Sequence, residues 1–198
     1  WGLISGVFDA PLASRFGPAG CCILSQQFYE TDLSRGFVRG YNLQITRGSG
    51  PVTTARTGLT RGQIPWGAGH HEAFARRYNH TVNIGVCCED LPDVNNTVTL
   101  DPDLTDSHGI AAPKVTYRLD ENSRRMLQHG LDRGSEVMTA AGATDIYTEG
   151  PIRLAGWHLL GTARMGTDPQ RSVVNEWGRC HDVRNLFIVD GSVFVTSG

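Results

Sequence analysis

No cluster or stripe of Lys and Arg runs through this sequence, and its formal net charge is −2. A nucleic-acid partner needs a basic footprint to neutralise phosphates, so that class is excluded. No apolar run approaches the roughly 20 residues that a membrane-spanning helix requires. The five cysteines include no C-x-x-C spacing, and four of them fall in the adjacent pairs Cys21-Cys22 and Cys87-Cys88. Neighbouring cysteines rarely bridge each other, so a disulfide framework and a thiolate zinc site are both disfavoured. The cysteines read instead as small hydrophobes in buried strands. That usage suits a reduced, cytoplasmic compartment, with the periplasm as the alternative. No H-E-x-x-H occurs: His70 and His71 are adjacent and would diverge by about 100° on a helix, so with Glu72 and His80 they make no metal site. Asp101, Asp103 and Asp106 lack the Gly and terminal Glu of a calcium loop. A G-x-G-x-x-G turn is missing too. Its nearest imitation, Gly67-Ala68-Gly69, lacks the third glycine and follows Pro65-Trp66 rather than an apolar strand.

What is present is an ordinary globular composition, 39% hydrophobic and 19% charged over 198 residues, enough for one large or two small domains. Gly is frequent and spread along the chain, which predicts many tight turns. Strands are expected at Cys21–Phe28, Phe37–Arg47 and Thr81–Leu91. The last has Val82, Ile84 and Val86 on one face and Asn83, Gly85 and Cys87 on the other. Thr97–Leu100 and Val115–Leu119 read as two further strands joined by a turn-rich loop, Asp101–Gly109. Helices are expected at His70–Tyr78 and Asn122–Ala141, the second with Asp120 as N-cap and Gly142 as its stop. Gly130 and Gly134 weaken that helix by roughly 1 kcal/mol each relative to Ala, and suit close packing on a sheet. Together these elements predict an α+β fold, an antiparallel sheet backed by helices.

The last forty-odd residues carry most of the chemistry. His158 sits just before a small-residue turn, Gly161-Thr162. A Pro-containing polar loop follows. Then comes a short apolar run, Asn185-Leu186-Phe187-Ile188-Val189, expected to be a buried strand, which ends on Asp190-Gly191. An acid and a glycine at a strand end suit a nucleotide cofactor, since the backbone can approach closely and the carboxylate can hold hydroxyls. Histidine suits proton transfer because its ordinary pKa lies near operating pH. From the sequence alone, a lone His beside Trp157 and Leu159 is more often a packed, hydrogen-bonded histidine than a catalytic one.

The segment His158-Leu-Leu-Gly161-Thr162-x-Arg164-Met165-Gly166, with Asp168-Pro169, Ser172-Val-Val-Asn175 and Asn185–Ser192 behind it, resembles the C-terminal signature of the glucose–methanol–choline (GMC) family of flavin-dependent alcohol oxidoreductases. It is most similar to the gluconate- and sorbose-dehydrogenase-like members. The resemblance implies a substrate domain over residues 1–155, whose antiparallel sheet roofs the flavin, and the C-terminal segment of a Rossmann-like FAD domain over 156–198. It implies an oxidoreductase with FAD as cofactor, acting on the CH–OH group of an alcohol, polyol or sugar, with an external electron acceptor as a further partner. His158 falls on the catalytic histidine of the family and would handle the hydroxyl proton during hydride transfer. Asp190 and Gly191 would lie beside the ribityl–diphosphate portion of the FAD. The family signature runs on to an Asn-Pro-Thr-like element bearing a second catalytic residue, not found here. The expectation is therefore a C-terminal piece of a protein at least twice as long, which should not bind flavin strongly alone. The alternative is a non-catalytic remnant or substrate-binding module of the same fold.

Overall fold

The computed structural model describes residues 1–17, 20–152, 155 and 158–196, without the side chains of Cys21 and Cys22. The chain divides into two units, Trp1–Glu89 with Arg124–Arg153, and Asp90–Ser123 with Leu154–Gly198. Trp157 and Gly156 lie outside the described residues.

The first unit is built on a five-stranded sheet. Its strands are β1 (Gly2–Val7), β2 (Cys21–Ser25), β3 (Tyr41–Thr46), β4 (Thr81–Cys88) and β7 (Asp145–Glu149), in the order β2-β3-β4-β1-β7. Every neighbouring pair is antiparallel, and Ile4 pairs with Ile84 and Ser5 with Asn83 at its centre. Two short helices, α1 (Pro51–Thr60) and α2 (His70–Arg77), connect β3 to β4 and contact each other. The two-stranded ribbon β5 (Thr97–Thr105) and β6 (Ala111–Thr116) belongs to the second unit. A long helix, α3 (Glu121–Ala140), then leads back into the first.

Alternation along the strands sorts their side chains to two faces. Ile4, Leu43, Ile84 and Val86 point to one face with Tyr41, and Met126, Leu127, Leu131 and Met138 of α3 cover them. The glycines set how close the helix sits. A Cβ on Gly130 would lie 2.4 Å from Val86 Cγ1, and one on Gly134 would lie 2.6 Å from Ile4 Cδ1. The helical weakness expected at these two positions is therefore the condition for contact with the sheet. Asp120 caps α3 as expected, accepting from Ser123 N at 2.9 Å. Gly142, at φ +91°, ends it with bonds from its own N to Thr139 O and from Ala143 N to Met138 O, a Schellman turn.

Three expectations are corrected. β1 and β7 were not anticipated: Gly2 and Gly6 thin the apolar pattern of β1, yet both face α3, where a Cβ would press on the Leu127 and Met138 side chains. The expected loop Asp101–Gly109 is shorter, because β5 runs on to Thr105 across an irregularity where Asp101 Oδ1 accepts from Asp103 N and Leu104 N. The expected buried strand Asn185–Asp190 is neither a strand nor buried. It makes one isolated bridge, Arg179 to Phe187, and Val189 is 88% exposed. Among the described residues its backbone pairs with the short turn before it, Ile188 N to Gly178 O at 2.8 Å and Cys180 N to Leu186 O at 2.9 Å, too few bonds to make a ladder. Of the cysteines, Cys180 is buried and Cys87 half-buried, both as free thiols.

Candidate active site

The C-terminal segment of the second unit is a set of loops held by backbone hydrogen bonds. The turn after His158 and the turn at Asp190 are distant in sequence but run side by side. Gly161 N donates to Gly191 O at 3.2 Å, Ala163 N to Ser192 O at 2.9 Å and Met165 N to Val193 O at 2.8 Å. Gly191 permits this contact, since a Cβ there would lie 2.6 Å from Leu160 Cδ2. Gly161 sits at φ +80°, a conformation that favours glycine. The structure thus brings the His158 segment and Asp190–Gly191 into one small region. His158 and Asp190 are both exposed.

Asp190 is the N-cap of a 3-10 turn, Gly191–Val193, and its Oδ1 accepts from Ser192 N at 2.8 Å. The Ser192 hydroxyl and N–H hold its carboxyl below the usual carboxylate range. It is therefore ionised at neutral pH, with acceptor capacity left over on a solvent-facing carboxylate. Ser192 stands in the signature read from the sequence, but its role on the Asp190 carboxylate was not anticipated, although Asp-Gly-Ser is a recognisable Asx-capped turn.

The loop between these turns is held by its own polar residues. Asn175 Oδ1 accepts from Trp177 N at 3.0 Å and Arg179 N at 3.1 Å. The Arg179 guanidinium donates to Arg184 O at 2.8 Å. His181 Nε2 lies 3.1 Å from Gly166 O and 3.0 Å from Ser172 Oγ. The Ser172 hydroxyl spends its one proton on Asp168 O at 2.6 Å, so Nε2 must be the donor to both oxygens. His181 is thus a strut and Ser172 is not an activated nucleophile. Val174, Cys180 and Val193 form the small core beneath, with Met165 and Ile188 against it. Around them Leu159, Phe187, Val189 and Phe194 are exposed. Among the described residues no group of His, Cys, Asp and Glu could hold a metal ion.

The sequence pattern of the GMC oxidoreductase family matches residues 92–198. The chain is 40% identical over 197 residues, 99% of its length, to 2-methyl-1,2-propanediol dehydrogenase of Mycolicibacterium austroafricanum, and spans 36% of that protein. It is 38% identical over 127 residues to the fructose dehydrogenase large subunit of Gluconobacter japonicus, covering 64% of this chain and 23% of that one. It is 27% identical over 168 residues to the gluconate 2-dehydrogenase flavoprotein of Pantoea cypripedii, covering 80% and 27%. The chain belongs to the GMC oxidoreductase family. It spans about a third of the length of the first of these relatives. Its α+β architecture, with antiparallel sheets and three α-helices among the described residues, agrees with that membership.

Proposed function

We propose that this chain is part of an FAD-dependent oxidoreductase that oxidises the CH–OH group of a polyol or sugar, and that His158 handles the hydroxyl proton. The observation that carries the reading is the backbone lacing of the His158 turn to the Asp190–Gly191 turn. A histidine and an ionised carboxylate with spare acceptor capacity are thereby held on neighbouring turns. Oxidation of such a carbon releases a hydride from carbon and a proton from oxygen. FAD, when bound, accepts the hydride. His158 takes the proton, a role that imidazole side chains commonly fill as general bases.

Asp190 fits the polyhydroxylated part of the cofactor. Its carboxylate accepts from Ser192 N and faces solvent with its remaining lone pairs. Ribityl hydroxyls are donors of the kind it lacks, whereas phosphates would repel it. The names of the relatives, a diol, a ketose and a sugar-acid dehydrogenase, support a polyhydroxylated substrate class. The electrons then leave to an acceptor outside this chain. The test separates the two residues in the intact protein. Asp190→Asn should lower bound-flavin content, read from the visible spectrum. His158→Ala should leave that content unchanged while steady-state oxidation falls by about 10²–10⁴-fold. Wild-type oxidation in His158→Ala would refute the proton assignment, and full flavin retention with unaltered affinity in Asp190→Asn would refute the cofactor assignment.

A further inference from the structure

On the sheet face turned away from α3, the first unit contains a polar cleft of about 240 Å³ between the sheet and helices α1 and α2. Its unusual occupant is Arg77, at the end of α2, only 7% exposed. A buried guanidinium normally has a carboxylate beside it. Arg77 has none within ion-pair distance among the described residues. Its Nη2 donates to Gln63 Oε1 at 2.6 Å, its guanidinium carbon stands 4.5 Å from the centre of the Tyr147 ring, and it also hydrogen-bonds the Tyr147 side chain and feels the Asp145 carboxylate from a distance. The nearby carboxylates are engaged elsewhere. Asp145 and Asp9 each lie 3.2 Å from Arg76 Nη2, and Glu149 Oε2 lies 2.6 Å from Arg61 Nε. One positive charge in the cleft therefore has no counter-charge in direct contact.

The walls supply neutral donors for what is missing. Ser49, Thr53 and Thr57 line the cleft, and their hydroxyls have no hydrogen-bond partner among the described residues. By contrast, the Thr54 and Thr81 hydroxyls are satisfied by the carbonyls of Gly50 and Arg77 at 2.9 and 2.8 Å. A guanidinium with donors to spare and three unspent hydroxyls make a donor set without an acceptor. Neutral substrates would leave the charge uncompensated.

We propose that this cleft binds a small oxyanion, the carboxylate of a hydroxy acid or inorganic phosphate, on Arg77, with Thr53 and Thr57 hydroxyls completing its hydrogen bonds. The cleft, about 240 Å³, is large enough for a small acid or a phosphate. The inferred anion binding does not rest on the flavin reading. The experiment is calorimetric titration of the intact protein with inorganic phosphate and, separately, glycolate, at constant ionic strength set by chloride. The expected result is saturable one-to-one binding of at least one probe, and which probe binds identifies the anion class. Arg77→Gln should weaken it at least about tenfold, the loss typical of a charge-assisted hydrogen bond. Thr53→Val with Thr57→Val should weaken it several-fold. Binding of neither probe beyond the chloride control would overturn the proposal, as would unchanged affinity in Arg77→Gln. If Arg77→Gln does not fold, the threonine pair decides: unchanged affinity there overturns it.

Discussion

Gly178 stands at φ +71°, and a Cβ on it would lie 2.7 Å from the Ile188 carbonyl oxygen. Both the backbone conformation and the space demand glycine, because the obstructing atom is main chain and cannot rotate away. Gly178→Ala should destabilise the C-terminal loops by at least about 2 kcal/mol, measured by urea denaturation of the intact protein. A loss below about 0.5 kcal/mol would show that the turn relaxes freely. At this scale the sequence was most informative about side chains with fixed turn chemistry. Asn175, Arg179 and His181 tie the loop as their residue types suggest. His158, Asp190 and Gly191 were legible as a spaced motif. Their spatial union was not, because backbone bonds between Gly161 and Gly191 leave no mark in residue type. The Arg77 cleft left no sequence signal either, since its lining comes from β1, α1, α2 and β4.

Among the elements, α3 was the most legible, since its apolar spacing, cap and stop all agree. Asp120 does more than mark its start. Burial alone would raise its carboxyl, but the Ser123 hydroxyl and N–H outweigh that and hold it below its ordinary 3.8. A carboxylate lowered by folding adds stability above its unfolded pKa and loses it as pH falls through the folded one. Asp120→Ala should therefore cost about 1 kcal/mol at neutral pH, the usual worth of an N-cap. The gap from wild type should narrow as the pH falls below 3.8. Paired urea melts at neutral and acidic pH check this, and a gap constant with pH would contradict it. β1 was the least legible element, since Gly2 and Gly6 interrupt its pattern while giving α3 room to approach. The run Asn185–Val189 erred the other way: hydrophobicity suggested a buried strand, yet among the described residues it makes one bridge, and only Ile188 packs on the small core.

At the scale of the whole molecule, the antiparallel sheet with α3 behind it and the laced C-terminal turns belong to a GMC oxidoreductase, and the chain spans 36% of the relative it matches along 99% of its own length. Two separable properties follow for such a protein, an anion in the Arg77 cleft and a proton carried by His158, and neither implies the other. The second is central. Its most direct measurement is anaerobic stopped-flow reduction of the bound flavin by a polyol or sugar substrate, comparing the intact wild-type protein with His158→Ala at matched flavin content. The account predicts reduction slower by about 10²–10⁴-fold in the variant, with the oxidised spectrum preserved. Reduction at the wild-type rate would contradict it, and would leave His158 an exposed residue beside the turn rather than the group that takes the proton.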